Sequence, residues 1–133
     1  MKKVPWADLA LWLPTLFLVY IFSQQGFAKF DDTSGWAKAF AGWHYPVWFR
    51  ILVGVAECSA ALLLLTRRTA PIGAAIIVTV MLGAWGTHIY WGQPRYMTSE
   101  VLPLALSLIV LRFRWSHFAR MLASWRKGRL SEA

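Results

Sequence analysis

Four apolar runs, each about as long as a bilayer crossing, fill most of this 133-residue chain and leave it few ways to fold. A hydrocarbon core of about 30 Å takes about 20 residues of helix to cross. The runs cover about residues 6–30, 47–65, 69–91 and 99–115. In lipid a backbone must satisfy its own hydrogen bonds, so an apolar run of this length folds as a helix. The expected fold is therefore all-α: an integral membrane four-helix bundle forming one domain over residues 1–133. The chain is 58% hydrophobic and only 15% charged, against about 25% charged in soluble domains. Its nine tryptophans suit the membrane–water interface, where the ring meets headgroups and the N–H finds a polar partner.

Lys2 and Lys3 precede the first run in the manner of a signal peptide. No small-x-small cleavage site follows and three further apolar runs do, so a retained first helix is expected. Pro14 lies inside that helix and should kink it. The fourth run is apolar only from Val101 to Leu111, and it crosses if Arg112 and Arg114 snorkel to the headgroups.

The cations set the topology. With four crossings, Lys2, Lys3, Arg67, Arg68, Arg112, Arg114, Arg120, Arg126, Lys127 and Arg129 share one side, while Lys29, Lys38, Arg50 and Arg95 share the other. The positive-inside rule then puts both termini in the cytoplasm. The same clustering at the ends of apolar runs argues against nucleic acid as a partner despite the net charge of +8, because a nucleic-acid binder lines its cations along one groove or face. Cys58 is the only cysteine, which excludes an intramolecular disulfide and a cysteine-based metal site.

Two segments outside the runs carry pattern. Between Asp31 and Pro46, Thr33 or Ser34 suits an N-cap. Trp36, Phe40 and Trp43 follow at helical spacing, predicting a short helix on the outer leaflet. In the tail, Trp115, Phe118, Leu122 and Trp125 form an apolar stripe beside Arg114, Arg120, Arg126 and Lys127. This predicts a basic amphipathic helix that anchors to the inner leaflet. Within the third run, Ala75, Thr79, Gly83 and Thr87 form a small-residue ridge of the kind that lets a neighbouring helix approach closely.

Glu57 is the sharpest chemical signal, a carboxylate near the middle of the second run. Insertion there costs about 2.5–3.5 kcal/mol, so such a residue turns inward, neutral or paired. It is a candidate proton-exchanging group, with an inter-helix packing bond as the plain alternative. His88, near the outer end of the third run, is the second candidate, although a histidine at that depth also suits the interface. Glu100 and Lys29 sit at helix ends where their charges complement the dipole. Arg50 lies two turns from Glu57 on the same face and answers its charge by way of water. Lys29, Arg50, His88 and Glu100 gather at the outer ends of the helices above Glu57, ringed by Trp43, Trp48, Trp85 and Trp91. The pattern predicts a small pocket open to the outside, with Lys29, Arg50, Trp85, Trp91 and Glu100 as ligand-pocket candidates. No metal set is present.

Several segments resemble the DoxX family of bacterial four-helix membrane proteins. They are Gly26-Phe27-Ala28-Lys29-Phe30, Arg50-Ile51-Leu52-Val53-Gly54-Val55-Ala56-Glu57, Thr66-Arg67-Arg68, Met81-Leu82-Gly83-Ala84 with His88 after it, and Glu100. The resemblance spans about residues 10–111 and implies a multi-pass protein of the bacterial cytoplasmic (inner) membrane associated with redox chemistry. The family name comes from a thiosulfate:quinone oxidoreductase subunit. After the fourth helix a Gly-rich, Ser-Asp ending is usual, whereas here Arg112-Phe113-Arg114-Trp115 and a basic tail stand in its place.

The leading functional expectation is an accessory to membrane redox chemistry that handles a quinone or small electron carrier. No haem ligand pair, flavin motif, iron–sulfur set or nucleotide loop is encoded, so the chain brings no cofactor of its own beyond such a carrier. A stand-alone enzyme is expected less than a non-catalytic or accessory oxidoreductase subunit. The alternative is a non-enzymatic subunit or assembly factor, whose partners beside the lipid bilayer are other membrane subunits or a second copy of the chain. A small proton-coupled transporter comes third, since no inverted repeat is visible.

Overall fold

A computed structural model describes residues 6–132. Lys2 and Lys3, which entered the topology argument, lie outside the described residues. The described residues form five helices: α1 (Trp6–Ala28), α2 (Gly35–Gly42), α3 (Val47–Leu64), α4 (Ala70–Tyr90) and α5 (Thr98–Glu132), with one 3₁₀ turn at Pro94–Tyr96. All but α2 are long and apolar enough to cross a membrane. The expected spans match these helices to within about two residues at most ends, as the helical rule for apolar runs requires. Pro14 lies inside α1 without ending it.

The four long helices close into a ring. α1 packs on α3 and α5, and α4 packs on the same two. Leu18, Phe22, Ala60, Leu64, Ile77 and Val110 meet at its centre and are fully buried. The outer faces carry Leu13, Leu62, Leu82 and Phe113, all exposed, which is how helices solvated by lipid present themselves.

Close approach is made by glycines other than the expected ones. A Cβ on Gly26 would stand 3.1 Å from the Gly54 carbonyl oxygen and 2.6 Å from Cys58 Sγ, and one on Gly54 would stand 3.0 Å from the Gly26 oxygen. A Cβ on Gly73 would lie 2.7 Å from the Ala60 oxygen. These contacts seat α1 and α4 against α3 backbone to backbone, the packing mode that small residues permit in lipid. The Ala75–Thr79–Gly83–Thr87 ridge does not serve this purpose. Ala75, Thr79 and Gly83 are exposed, and a Cβ on Gly83 would meet nothing within 4 Å. The face of α4 that packs is instead the one bearing Pro71, Ala74, Ile77 and Met81. Four-residue spacing identifies a stripe but does not say which stripe a neighbour covers. Gly73→Ala is therefore expected to cost about 1–3 kcal/mol through forced backbone separation. Gly86→Ala, whose Cβ meets nothing, should stay within about 1 kcal/mol of the parent. Unfolding midpoints in one detergent check the difference.

Two expectations about the fourth run are corrected. The tail does not leave as a separate helix on the leaflet; α5 continues without interruption to Glu132. Between Arg112 and Lys127 there is neither Pro nor Gly to break it. Arg114 does not snorkel either. It is buried, donates to the Asp8 carboxylate of α1 and lies over the Trp12 ring, 5.4 Å from its centroid. Arg67, in the turn between α3 and α4, donates to the other Asp8 oxygen. Asp8 thus ties three segments at one end of the bundle.

Candidate functional site

The opposite end of the bundle holds most of the candidate residues, and the Gly26–Gly54 contact explains how. It brings the end of α1 close enough to α3 for Lys29 Nζ to donate to Glu57 Oε2 at 2.8 Å. Both are buried, Lys29 at 2% and Glu57 at 1% exposure. Lys29 Nζ also lies 3.8 Å from the centroid of Trp36 on α2, so its remaining charge meets a π face. The helix-end reading of Lys29 was incomplete, because the dipole argument concerns the backbone and not the neighbour across the interface.

Arg50 does not answer Glu57. It is buried, but its guanidinium turns to Asp32 in the α1–α2 loop, and its Nε has no hydrogen-bond partner. With Lys29 already on the carboxylate, Glu57 has no need of a second cation.

His88 on α4 and Glu100 in the first turn of α5 form the second pair. His88 Nε2 and Glu100 Oε1 are 3.0 Å apart. The imidazole is 5% exposed and is held between Trp43 and Tyr96, whose ring centroids lie 5.5 and 5.6 Å away. Its Nδ1 and the second Glu100 oxygen, Oε2, are buried without partners. The interfacial reading of His88 therefore gives way to a buried acid–base pair, made possible by the short Gly92–Met97 connection that returns α5 beside α4.

A cavity of about 500 Å³ lies between these pairs, lined by Lys29, Glu57, His88 and Glu100 together with Trp36, Phe40, Trp43, Tyr45, Phe49, Met81 and Pro103. Thr79, Gly83 and Thr87 border it. The small ridge thus has a use, since its missing side-chain bulk leaves part of this space. α2 forms as expected, with Ser34 accepting from the Ala37 N–H as its N-cap. Its aromatic stripe turns toward the bundle and walls the cavity with Trp36, Phe40 and Trp43. Two hydrogen bonds brace this wall: Trp43 Nε1 donates to Gln93 Oε1 at 3.1 Å, and Tyr45 and Thr87 share one at 2.8 Å.

A second hollow of about 630 Å³ lies beyond the wall, lined by Ser34, Gly42, Trp91, Gln93 and Tyr96. Both spaces touch Trp36, Trp43, His88, Ser99 and Glu100, so His88 and Glu100 stand where they meet. Of the pocket candidates, Lys29 and Glu100 line the inner cavity and Trp91 only the outer hollow. Arg50 and Trp85 line neither. Trp85 packs against the core, as helix periodicity on an apolar run does not distinguish, and Trp48 is exposed. Trp36, Asp32 and Tyr96 also belong to the site, although the sequence pattern does not mark them as such. Trp36 was already on the α2 stripe and needed only the direction of that stripe, while nothing local marks Asp32 or Tyr96.

The arrangement offers two buried acid–base pairs in an aromatic chamber. One is closed on itself and the other retains free hydrogen-bonding atoms. Comparison with curated proteins and with solved structures finds no match. A family model does match: described as the DoxX-like family, it covers residues 13–110. That stretch contains every residue lining the two hollows, and the chain belongs to the DoxX-like family.

Proposed function

We propose that the chain is a multi-pass protein of the bacterial cytoplasmic membrane that binds a quinone-type carrier at the α2-covered end, as an accessory to membrane redox chemistry. The observation that carries this reading is the inner cavity, with its aromatic walls and its Lys29–Glu57 and His88–Glu100 pairs. A volume of about 500 Å³ falls within the range of roughly 300–1,000 Å³ usual for small-molecule sites. Aromatic walls suit a flat ring, and paired ionisable groups suit oxygens that gain or lose protons. Electrons would reside on the carrier, since no side chain here stores them. The cation distribution supports an orientation with this cavity at the outer face and both termini in the cytoplasm.

Binding of a short-chain quinone to purified protein, followed by difference spectrum and tryptophan quenching, tests the proposal. Saturable binding weakened at least tenfold by Glu57→Gln is the expected result. No saturable binding to the parent protein overturns it.

The second reading, a non-enzymatic subunit or assembly factor, is favoured by one observation. Residues 115–132 of α5 run on past the bundle with Trp115, Trp125 and Leu130 exposed. Co-purification of a partner at fixed stoichiometry in mild detergent, lost on removing residues 116–133, would support that reading.

A further inference from the structure

The free atoms at the meeting of the two hollows narrow the ligand further. This inference rests on the binding role proposed above. His88 Nε2 lies 3.0 Å from Glu100 Oε1. With Glu100 ionised, the single proton of a neutral imidazole lies on Nε2, between the pair, and the other ring nitrogen is an acceptor. The pair therefore presents two unpartnered buried atoms, His88 Nδ1 and Glu100 Oε2, and both accept hydrogen bonds. Burying such atoms unanswered is costly, and a ligand that supplies a donor relieves the cost.

Two nearby donors are engaged elsewhere. Lys29 Nζ serves Glu57 and faces the Trp36 ring, and the Trp43 N–H is given to Gln93. The other donors lining the hollows, the Trp36 N–H and the Tyr96 hydroxyl among them, do not reach these two atoms, so this point of the site holds acceptors to spare. A quinone carbonyl, which only accepts, would meet like against like here. An aromatic hydroxyl donates, and its ring finds Trp43 and Tyr96 beside it.

We infer that the His88–Glu100 end of the site is a receptor for a phenolic hydroxyl, and that the protein binds the reduced, dihydroxy form of an aromatic carrier in preference to its oxidised form. The inference concerns binding alone. Selective binding of one redox form shifts the carrier's equilibrium toward that form by the ratio of the two affinities.

The test uses the full-length protein in detergent with one short-chain carrier in three forms: the quinol kept reduced under anaerobic conditions, the quinone, and the quinol dimethyl ether. Tryptophan quenching reads each affinity. The quinol is expected to bind at least tenfold more tightly than the quinone and the ether, since both of these lack the donor. Glu100→Gln replaces one acceptor oxygen with an N–H₂ donor at nearly constant shape, and it should reduce the preference for quinol to threefold or less while circular dichroism remains that of the parent. Equal binding of quinol and quinone, or tighter quinone binding, overturns this inference and leaves the carrier-binding role standing. Binding of none of the three overturns both. A preference for quinol that survives Glu100→Gln unchanged assigns it to another part of the cavity and also overturns the inference.

Discussion

Lys29→Met, with Glu57 left in place, is expected to destabilise the fold by about 3–5 kcal/mol, the usual consequence of stranding one member of a buried ion pair. Neither residue has an alternative: Lys29 is 2% exposed and Glu57 1%, and Arg50 is engaged with Asp32. Glu57→Leu alone should cost a similar amount by stranding the ammonium, softened by the Trp36 ring that still faces Nζ. The double variant Lys29→Met with Glu57→Leu should recover most of the loss, because two apolar side chains of similar volume need no pairing. Equilibrium unfolding in mixed micelles provides all three numbers, and their coupling separates the pair from the packing around it. A single-variant cost below about 1 kcal/mol would show that the two charges are not paired in the folded protein.

Asp8→Ala should be nearly as damaging, at about 3 kcal/mol, although Asp8 is itself a quarter exposed, at 27%. The reason lies in its partner. Arg114 is 2% exposed, and losing the carboxylate leaves a buried guanidinium with no counter-charge, only the Trp12 ring and, at 3.5 Å, the backbone carbonyl of residue 8. Arg67→Ala removes the other donor to Asp8 but should cost less than about 1 kcal/mol, since its side chain is half in the open, at 53%. The ordering, large for Asp8 and small for Arg67, is the discriminating result. Thermal unfolding of the two variants side by side measures it. Equal effects would mean that the cluster acts as a surface network and that Arg114 is not held by it.

The helices were readable because lipid-spanning runs declare themselves by length and polarity, and their ends come out within a residue or two except at the far end of α5, which runs on to Glu132. Short-range chemistry was readable too, as in the Ser34 cap and the aromatic spacing of α2. The inward turn of Glu57 followed from the insertion cost of a carboxylate. Its partner did not follow, because the end of α1 and the middle of α3 are joined by the glycine contact at Gly26 and Gly54, which no spacing rule predicts. Lys29 and Glu100 each had a sufficient local explanation in the helix dipole, and this hid their long-range roles. The α4 ridge failed for a related reason: small residues permit close approach wherever they occur, but only the fold decides whether another helix takes the offer or a cavity does. Arg114 was misplaced because snorkelling is the default for a cation near a helix end, and the acid that overrides it is 106 residues away.

The unbroken course of α5 has a geometric corollary. At 1.5 Å per residue its 35 residues measure about 52 Å, some 20 Å more than a hydrocarbon core. Glu100 sits in the first turn and Trp125 near the other extremity of one continuous helix; Pro103 follows Glu100 by three residues, and from Leu104 to Lys127 neither Pro nor Gly offers a hinge. Laying the aromatic side of that overhang against a flat surface would require inclining the whole stretch after Pro103, and the bundle wall it forms would swing with it. The pitch of the overhang and the attitude of the bundle wall that α5 supplies are therefore one motion.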